Sequence, residues 1–309
     1  MFALHFIKPG LHTLIVDRGR TGYQAWGVPV GGAMDQTSAD MANWLVGNSL
    51  AYPAFEITLL GPTIEIEGDG QLALTGADLT PQIDGNEISM YETIDVKRGM
   101  KLSFGAPKTG CRSYLAINGR WQVQPWLTSF SALAYDSSGI TADSIIKKNS
   151  TVTIKPGNHI AKRQIPLNRI PDFPRLLQVR VLPGPEFDFF SEDFQQQFLN
   201  QSFHISPHSN RMGCRLTPGL IDLQPRGEMI SSGIVPGTIQ VTPSGQPVIL
   251  LADAQTSGGY PRIANVITAD LDKVGQLKPG EVVRFELVDL SEAYKARAEK
   301  QKARSFLEN

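Results

Sequence analysis

The densest group of side chains that could do chemistry lies in residues 253–262, which read Asp-Ala-Gln-Thr-Ser-Gly-Gly-Tyr-Pro-Arg. Asp253 can act as a base or an orienting acceptor, and Gln255 can donate to and accept from a planar amide. Arg262 can bind a carboxylate or phosphate through two parallel hydrogen bonds, and paired glycines let backbone N–H groups approach a ligand. The alternative is a well-capped β-turn with Arg262 in a surface ion pair. On the first interpretation we predict Asp253 and Arg262 as catalytic residues, with substrate contacts from Gln255, Thr256, Gly258, Gly259 and Tyr260.

A second candidate loop carries Asn210 and Arg211 side by side, shortly before Gly213. Together they can present an amide and a guanidinium at one loop edge, so we predict both as catalytic residues, with a structural role as the alternative. We expect the loops that carry Asn210, Asp253 and Arg262 to fold into one pocket.

A third candidate is the glycine-rich segment 27–35, which leads into a predicted helix N-terminus. Free N–H groups and the helix dipole favour anions there, so Asp35 is either a substrate contact or simply the N-cap of the helix. Further candidate substrate contacts are Glu186, Arg112 and Tyr114. Glu56, in the segment Phe55-Glu56-Ile57-Thr58, is a lesser candidate. Each of these could equally be part of a structural charge pair.

Several signatures of common active sites are missing from the sequence. There is no Gly-x-x-x-x-Gly-Lys-Ser/Thr loop, so an ATP site would have to be unconventional or shared with a partner. There is no His-Glu-x-x-His motif, and Pro207 between His204 and His208 argues against a helical metal face. The two cysteines, Cys111 and Cys214, cannot form a cysteine-rich zinc site. We predict no metal site.

Composition excludes other classes of function. The chain has 309 residues with 29 basic and 30 acidic side chains, and the net charge of -1 offers no overall field for nucleic acid or anionic lipid. No apolar run approaches the roughly 20 residues that span a bilayer, and the apolar start reads as a strand and turn instead of a signal peptide. We expect a cytoplasmic protein that binds neither nucleic acid nor membrane.

The pattern of the remaining sequence indicates a mainly β fold with a few short helices. Apolar and polar residues alternate over 63–67 and 71–75, and the glycines between them predict a hairpin. The Asp84-Gly85 pair predicts another tight turn. We predict three helices, capped by Asp35, Ser191 and Ser291, and the last should run over residues 292–306.

The prolines between residues 155 and 174 predict a connection between two domains, which we place at 1–165 and 166–309. At about 150 residues per domain the length agrees with two.

The sequence also resembles the biotin-dependent carboxyltransferase-domain family, which includes the PxpC component of the bacterial ATP-dependent 5-oxoprolinase, allophanate hydrolase subunit 2, the regulator KipA and part of urea carboxylase. Eight ordered blocks carry the resemblance: residues 31–35, 56–58, 74–77, 112–116, 183–186, 209–213, 237–241 and 253–262. Ser232 stands before Gly233 where an acidic residue is common in the family. The length, close to that of a free PxpC chain, favours the 5-oxoprolinase component over a fused urea carboxylase.

The resemblance implies two cyclophilin-like β-barrel domains and a role in opening the 5-oxoproline lactam to glutamate. It implies ATP as a cofactor of the complex, a partner related to PxpB, and a hydrolytic PxpA-type partner. On this hypothesis Arg211 or Arg262 holds the substrate carboxylate or phosphate, Asn210 and Gln255 orient the amide, and Asp253 polarises or deprotonates its nitrogen.

Two alternatives stay open at this point. One is the carboxyltransferase component of a urea carboxylase and allophanate pathway, which needs biotin on another chain. The other is a KipA-like regulator that binds a partner protein without catalysis. For that regulator, Asp253→Ala or Arg262→Ala would leave the cellular pathway unchanged, whereas surface changes would abolish the complex.

Overall fold

The computed structural model describes residues 1–133, 138–220 and 229–308, which form two compact units. Unit 1 comprises Met1–Arg20, Gly31–Phe173 and the residues from Phe306 onwards; unit 2 comprises Thr21–Val30 and Pro174–Ser305. The division falls between Phe173 and Pro174, later than the expected boundary between residues 165 and 166. The assignment of segment 21–30 to unit 2 was not anticipated, and neither was that of the C-terminal residues to unit 1.

Unit 1 consists of two antiparallel sheets and one helix. One sheet has seven strands in the order β11-β12-β1-β4-β9-β6-β7, and the other has five in the order β2-β3-β10-β5-β8. The elements, in chain order, are β1 (Phe2–Lys8), β2 (His12–Val16), α1 (Gln36–Leu45), β3 (Ala54–Thr58), β4 (Thr63–Glu67), β5 (Gly70–Asp78), β6 (Pro81–Ile83), β7 (Asn86–Glu87), β8 (Ile94–Val96), β9 (Lys101–Phe104), β10 (Thr109–Ile117), β11 (Gly119–Trp121) and β12 (Thr151–Pro156).

The core of unit 1 lies between its two sheets. Phe6 and Ile64 of the seven-stranded sheet belong to the same buried cluster as Phe55 and Leu115 of the five-stranded sheet. A second cluster, which includes Leu14 and Ala42, joins the opposite face of the five-stranded sheet to α1. This sheet is therefore covered on both sides, which explains why β5 is buried along almost its whole length.

The predicted hairpin over residues 63–75 is wrong. The strands exist, but β4 and β5 lie in different sheets and do not pair with each other. Gly68, with φ of 143°, has the backbone of Met1 and Phe2 against it, so the chain changes sheets here. The predicted turn at Asp84-Gly85 is confirmed: both residues have positive φ, and β6 pairs with β7 across them.

Unit 2 contains a closed barrel of seven strands in the order β13-β20-β17-β18-β15-β14-β21, and a separate two-stranded ribbon, β16-β19. The predicted mainly β architecture with few helices is thereby confirmed. The elements are β13 (Leu176–Pro183), α2 (Glu192–Asn200), β14 (Phe203–Ile205), β15 (Gly213–Thr217), β16 (Ser232–Gly233), β17 (Thr238–Val241), β18 (Pro247–Leu250), β19 (Ser257–Gly258), β20 (Arg262–Val266), α3 (Leu271–Val274), β21 (Val282–Leu287) and α4 (Leu290–Arg304).

Strand β17 positions part of the candidate site. Its apolar residues Ile239 and Val241 alternate with the polar Thr238 and Gln240, so the polar pair shares one face of the strand. The register with β20 shifts between Ile239 and Gln240, and this shift places Gln240 directly opposite Arg262. Because cross-strand neighbours share a face, Arg262 is aimed to the polar side of β17.

Two of the three predicted helix caps are confirmed. Asp35 caps α1 by accepting from the Ser38 backbone N–H, and Ser191 caps α2 by accepting from Phe194. The third was wrong: α4 is capped by Asp289, whose carboxylate and the Glu292 side chain satisfy each other's backbone N–H groups in a capping box. In the described part of the chain, every helix is too short or too polar to cross a membrane.

Candidate functional site

Residues 253–262 join β18 to β20 in unit 2 and form a loop whose two ends are held by buried ion pairs. We call these residues the clamped loop. Asp253 at its start pairs with Arg211, and Arg262 at its end pairs with Glu186. The groups predicted for substrate contact lie between these two points.

The first ion pair is almost completely removed from solvent. Nε and Nη2 of Arg211 donate to the two carboxylate oxygens of Asp253, both at 2.8 Å, and the side chains are 1% and 3% exposed. The Asp253 backbone N–H also donates to the Arg211 carbonyl at 3.0 Å. Because both oxygens of Asp253 are engaged, this carboxylate holds the loop. The base role predicted for Asp253 and the anion-binding role predicted for Arg211 have no support in this geometry.

The second ion pair is equally well formed but closer to the surface. Nε and Nη2 of Arg262 donate to the two Glu186 oxygens at 2.7 and 2.5 Å, and Nη1 donates to the Gly233 carbonyl at 3.1 Å. Hydrogen bonds from Arg262 hold the pKa of Glu186 below its usual range, and those to Glu186 raise the pKa of Arg262. Arg262 therefore uses the bidentate grip that was predicted for a substrate carboxylate to bind Glu186, and the substrate contact predicted for Glu186 has no support in this geometry.

The middle of the clamped loop is tied to the polar face of β17. Ser257–Gly258 pairs with Ser232–Gly233 in the short ribbon, and Nε2 of Gln240 donates to the Tyr260 carbonyl at 3.3 Å. Gly258 packs closely against this glutamine, because a Cβ at position 258 would lie 2.7 Å from Gln240 Nε2 and would push that side chain aside. Sequence reasoning missed Gln240, although it stands in the Gly-Thr-Ile-Gln-Val block; its signal is a polar residue that alternates with apolar ones along a short strand.

The clamped loop leaves a polar surface available to a ligand. Gln255 is exposed and Thr256 and Gly259 are partly exposed, while Tyr260 keeps 46% of its surface open. These are residues that the sequence predicted for substrate contact, and the two ion pairs fix the backbone that carries them. A fixed backbone with free amide and hydroxyl groups suits recognition of a small planar group.

Asn210 does not join the loop in the way that the sequence suggested. It is exposed, and its Oδ1 accepts from the backbone N–H groups of Met212 and Gly213 at 2.9 and 3.3 Å, so it closes its own turn. The Arg211–Asp253 pair lies at the start of the clamped loop and the Glu186–Arg262 pair lies at its end. The predicted single pocket formed by Asn210, Asp253 and Arg262 is therefore replaced by one loop with two anchors.

The remaining predicted residues lie in unit 1, where they bind each other. The Tyr114 hydroxyl donates to Glu56 Oε2 at 2.8 Å and accepts from the Asp35 backbone N–H at 2.8 Å, and Met34 N–H donates to the same Glu56 oxygen. The Arg112 Nε lies 3.6 Å from Glu56 Oε1. Burial, followed by the nearby Glu56 and Asp35 carboxylates, raises the pKa of Tyr114 well above its usual range. Asp35, Arg112 and Tyr114 thus fix the start of α1 on the sheet, and the substrate contacts predicted for them have no support in this buried arrangement.

Unit 1 also has an open cleft of about 360 Å³, with Asp78, Glu87, Tyr91, Asp172 and Phe173 among its lining residues. None of the site residues predicted from the sequence lines this cleft. Over residues 1–133, 138–220 and 229–308 no cluster of His, Cys, Asp and Glu could hold a metal ion.

Comparisons with known proteins agree over almost the whole chain. The family "Carboxyltransferase domain, subdomain A and B" matches residues 26–287. The 5-oxoprolinase C-subunit of Escherichia coli is 36% identical over 97% of this chain and 96% of its own length, and that of Haemophilus influenzae is 35% identical over 92% and 90%. The urea amidolyase of Saccharomyces cerevisiae is 34% identical over 92% of this chain, which corresponds to only 16% of that protein.

Solved structures give the same picture. The urea amidolyase of K. lactis superimposes on 99% of this chain with a TM-score of 0.90 and 30% identity, over 20% of its own chain. The Kluyveromyces lactis urea carboxylase gives a TM-score of 0.88 over 99% of this chain and 29% of its own.

Proposed function

The chain belongs to the carboxyltransferase-domain family, and on that premise we propose that it is the PxpC component of a heteromeric ATP-dependent 5-oxoprolinase, which opens the 5-oxoproline lactam to glutamate. The observation that carries this proposal is the match with the 5-oxoprolinase C-subunit of Escherichia coli along nearly the full length of both chains, 97% and 96%. Urea amidolyases match only as a small part of a much longer protein.

The chemistry of the lactam defines what the complex has to supply. Opening a stable amide requires that its resonance be weakened, and transfer of the ATP γ-phosphoryl group to the amide oxygen achieves this, with release of ADP. Water then attacks the ring carbon, the ring C–N bond breaks, and phosphate and glutamate are released. Preorganised hydrogen-bond donors stabilise the charge that develops during these steps.

This chain's part in that reaction is recognition of the amide by the clamped loop. The carboxamide of Gln255 and the hydroxyl of Thr256 can meet the donor and acceptor edges of a lactam, beside the backbone N–H group of Gly259. Because the sequence has no P-loop, we assign the nucleotide to a PxpB-like partner or to a site shared with it, and completion of ring opening to a PxpA-like partner. Cys111 and Cys214 are buried and form no disulfide, which is compatible with a reducing cytoplasm, where we place the complex.

Reconstitution of the complex tests the proposal. The purified chain is mixed with its two partner subunits, ATP and 5-oxoproline, and glutamate is measured over time. We expect glutamate only when all three chains and ATP are present. No glutamate from the complete mixture, or an equal rate without this chain, would contradict the proposal.

A second candidate function is carboxyl transfer from carboxybiotin to a urea nitrogen. It is favoured by the superposition with the K. lactis urea amidolyase, at a TM-score of 0.90 over 99% of this chain. That reaction needs the same recognition of a planar N–C=O group, together with biotin on another chain. Loss of carboxybiotin from a carboxylated carrier upon addition of urea, in the absence of any 5-oxoproline turnover, would favour this candidate over the first.

A further inference from the structure

The open cleft of unit 1 is a second concave site, which the proposed function does not use. Its volume of about 360 Å³ suits a small organic molecule, and all of its lining residues belong to unit 1. Residues between positions 76 and 91 form one part of the lining and residues 170–173 form another, so segments far apart in the chain meet there. The cleft is therefore open to a ligand other than the amide substrate.

The part of the lining between positions 76 and 91 is held in place by hydrogen bonds. The Tyr91 hydroxyl accepts from the Gly76 backbone N–H at 3.0 Å and donates to the Gly76 carbonyl at 2.9 Å. The Tyr91 backbone N–H donates to the Leu74 carbonyl at 2.8 Å, and the Tyr91 carbonyl accepts from the Ile165 N–H at 2.9 Å. Met90 packs against both hydrophobic clusters of unit 1. This side of the cleft is thus formed before a ligand enters, so that binding does not have to order it.

The lining of the cleft combines negative charge with aromatic and apolar surface. Asp78, Glu87 and Asp172 are its charged residues, and among the described residues none of the lining side chains is basic. Tyr91 and Phe173 are aromatic, and aliphatic residues also line the cleft. Carboxylates attract cations, and the faces of aromatic rings attract ammonium and guanidinium groups. The lining therefore selects an organic cation with an apolar part and disfavours an anion such as 5-oxoproline.

An ammonium group of the protein itself already lies at two of these carboxylates. Lys108 Nζ is 2.6 Å from Glu87 Oε1 and 3.8 Å from Asp78 Oδ2. The Lys108 side chain is about half exposed, so another cation can replace it at little cost. Asp172 is exposed, and within the described chain no ion pair joins it to a basic side chain. One ammonium thus faces three carboxylates, and the cleft keeps a negative charge that a ligand can neutralise.

We propose that this cleft binds a small organic cation, an ammonium or guanidinium group on an aromatic or aliphatic stem, with the charge at the three carboxylates and the stem along the two aromatic residues. The ligand competes with the Lys108 ammonium for Glu87 and Asp78, whereas Asp172 serves the ligand alone. The site lies apart from the clamped loop in the chain, and the proposal does not depend on the proposed function.

The first test compares three molecules of similar shape and different charge on the whole chain. Phenethylammonium is the cation, 2-phenylethanol is the neutral analogue and 3-phenylpropanoate is the anion, and isothermal titration calorimetry at low salt measures the Kd of each. We expect the cation to bind at least about fivefold more tightly than the alcohol, and the anion to bind more weakly than the alcohol. Added salt should reduce the preference for the cation. The cation should also slow backbone amide exchange in residues 87–91 and 170–173.

The second test uses variants whose effects have opposite signs. Asp172→Asn removes the carboxylate that only the ligand uses, and it should weaken phenethylammonium binding by about two- to fivefold. Lys108→Met removes the competing ammonium, and it should tighten binding by about the same factor, which a purely structural role of this lysine would not do. Asp188→Asn, at an exposed aspartate of unit 2, is the matched control and should leave the Kd unchanged.

The outcomes that would overturn the proposal are distinct. No measurable binding of the cation, or equal affinities for the three molecules, would contradict it. Cation binding that both Asp172→Asn and Lys108→Met leave unchanged would do the same, as would protection by the cation that spares residues 87–91 and 170–173. Glutamate release by the assembled complex tests the proposed function separately, and neither result decides the other.

Discussion

Glu186 and Arg262 form an ion pair in which a diffusing anion could not easily replace the Glu186 carboxylate. Their two parallel hydrogen bonds, at 2.7 and 2.5 Å, are joined by a third from the Arg262 backbone N–H to Glu186 at 3.0 Å. The side chains are only 16% and 8% exposed, so competing water is largely excluded. At this site the guanidinium is an anchor for the clamped loop, and ligand recognition falls to the uncharged groups that it positions.

The change Glu186→Gln tests the anchor at the level of one residue. It keeps the shape and removes the charge, leaving a largely buried guanidinium unpaired, so we expect a loss of about 1–3 kcal/mol in the free energy of unfolding at pH 7. Denaturant unfolding of both proteins measures it.

The same pair of proteins gives a pH dependence with a defined sign. Since the pKa of Glu186 is lowered from its usual 4.5 in the folded state, the ion pair stabilises the protein above pH 4.5. That contribution is lost as the pH falls through the lowered pKa. The stability difference between wild type and variant should therefore be constant from about pH 5 to pH 8 and shrink in stronger acid. A difference that grows on acidification would contradict the assignment.

The types of the site residues were predictable from the sequence, but their partners were not. Asp253 and Arg262 stood out because they begin and end the densest polar cluster of the sequence, and Glu186 because it follows Pro183-Gly184-Pro185. The distances that decide their roles join positions 42 residues apart for Arg211 and Asp253, and 76 apart for Glu186 and Arg262. Local sequence carries no information on contacts of that range. Charged side chains that pair with each other in the structure were therefore predicted to bind a ligand.

At the scale of elements, the sequence predicted correctly those features that depend only on residues close together in the chain. The caps of α1 and α2 depend on residues within one turn, and both were found. The β4–β5 hairpin failed because pairing depends on which sheet receives each strand, and alternation within a strand does not encode this. The cap of α4 was misplaced although its capping box, Asp289 followed three residues later by Glu292, was readable.

The α4 correction makes a direct prediction. Asp289→Ala removes the carboxylate that accepts from the Glu292 N–H, so it should reduce the free energy of unfolding by about 1 kcal/mol. Ser291→Ala, two residues later and inside the helix, is the matched control and should change it by less than about 0.5 kcal/mol. Equal losses in the two variants, measured by denaturant unfolding, would mean that the box does not cap the helix.

At the scale of the whole molecule, composition and turn chemistry were enough to predict a mainly β chain. They could not predict that Thr21–Val30 belongs to unit 2 and that the C-terminal residues belong to unit 1. This assignment reflects packing between segments far apart in the chain. Family membership rests on ordered blocks spread over both units, which is why the sequence alone reveals it. The chemistry that we assign is concentrated in unit 2, whereas the polar cluster of unit 1 is buried and internally paired.

The central claim is that the amide ligand meets the clamped loop, and hydrogen exchange tests it most directly. Backbone amide exchange of the assembled complex is measured by mass spectrometry with and without saturating 5-oxoproline. We predict that the ligand slows exchange in residues 255–260, with little change around the unit 1 cleft at residues 87–91. Protection at residues 87–91 with none at 255–260 would contradict the account.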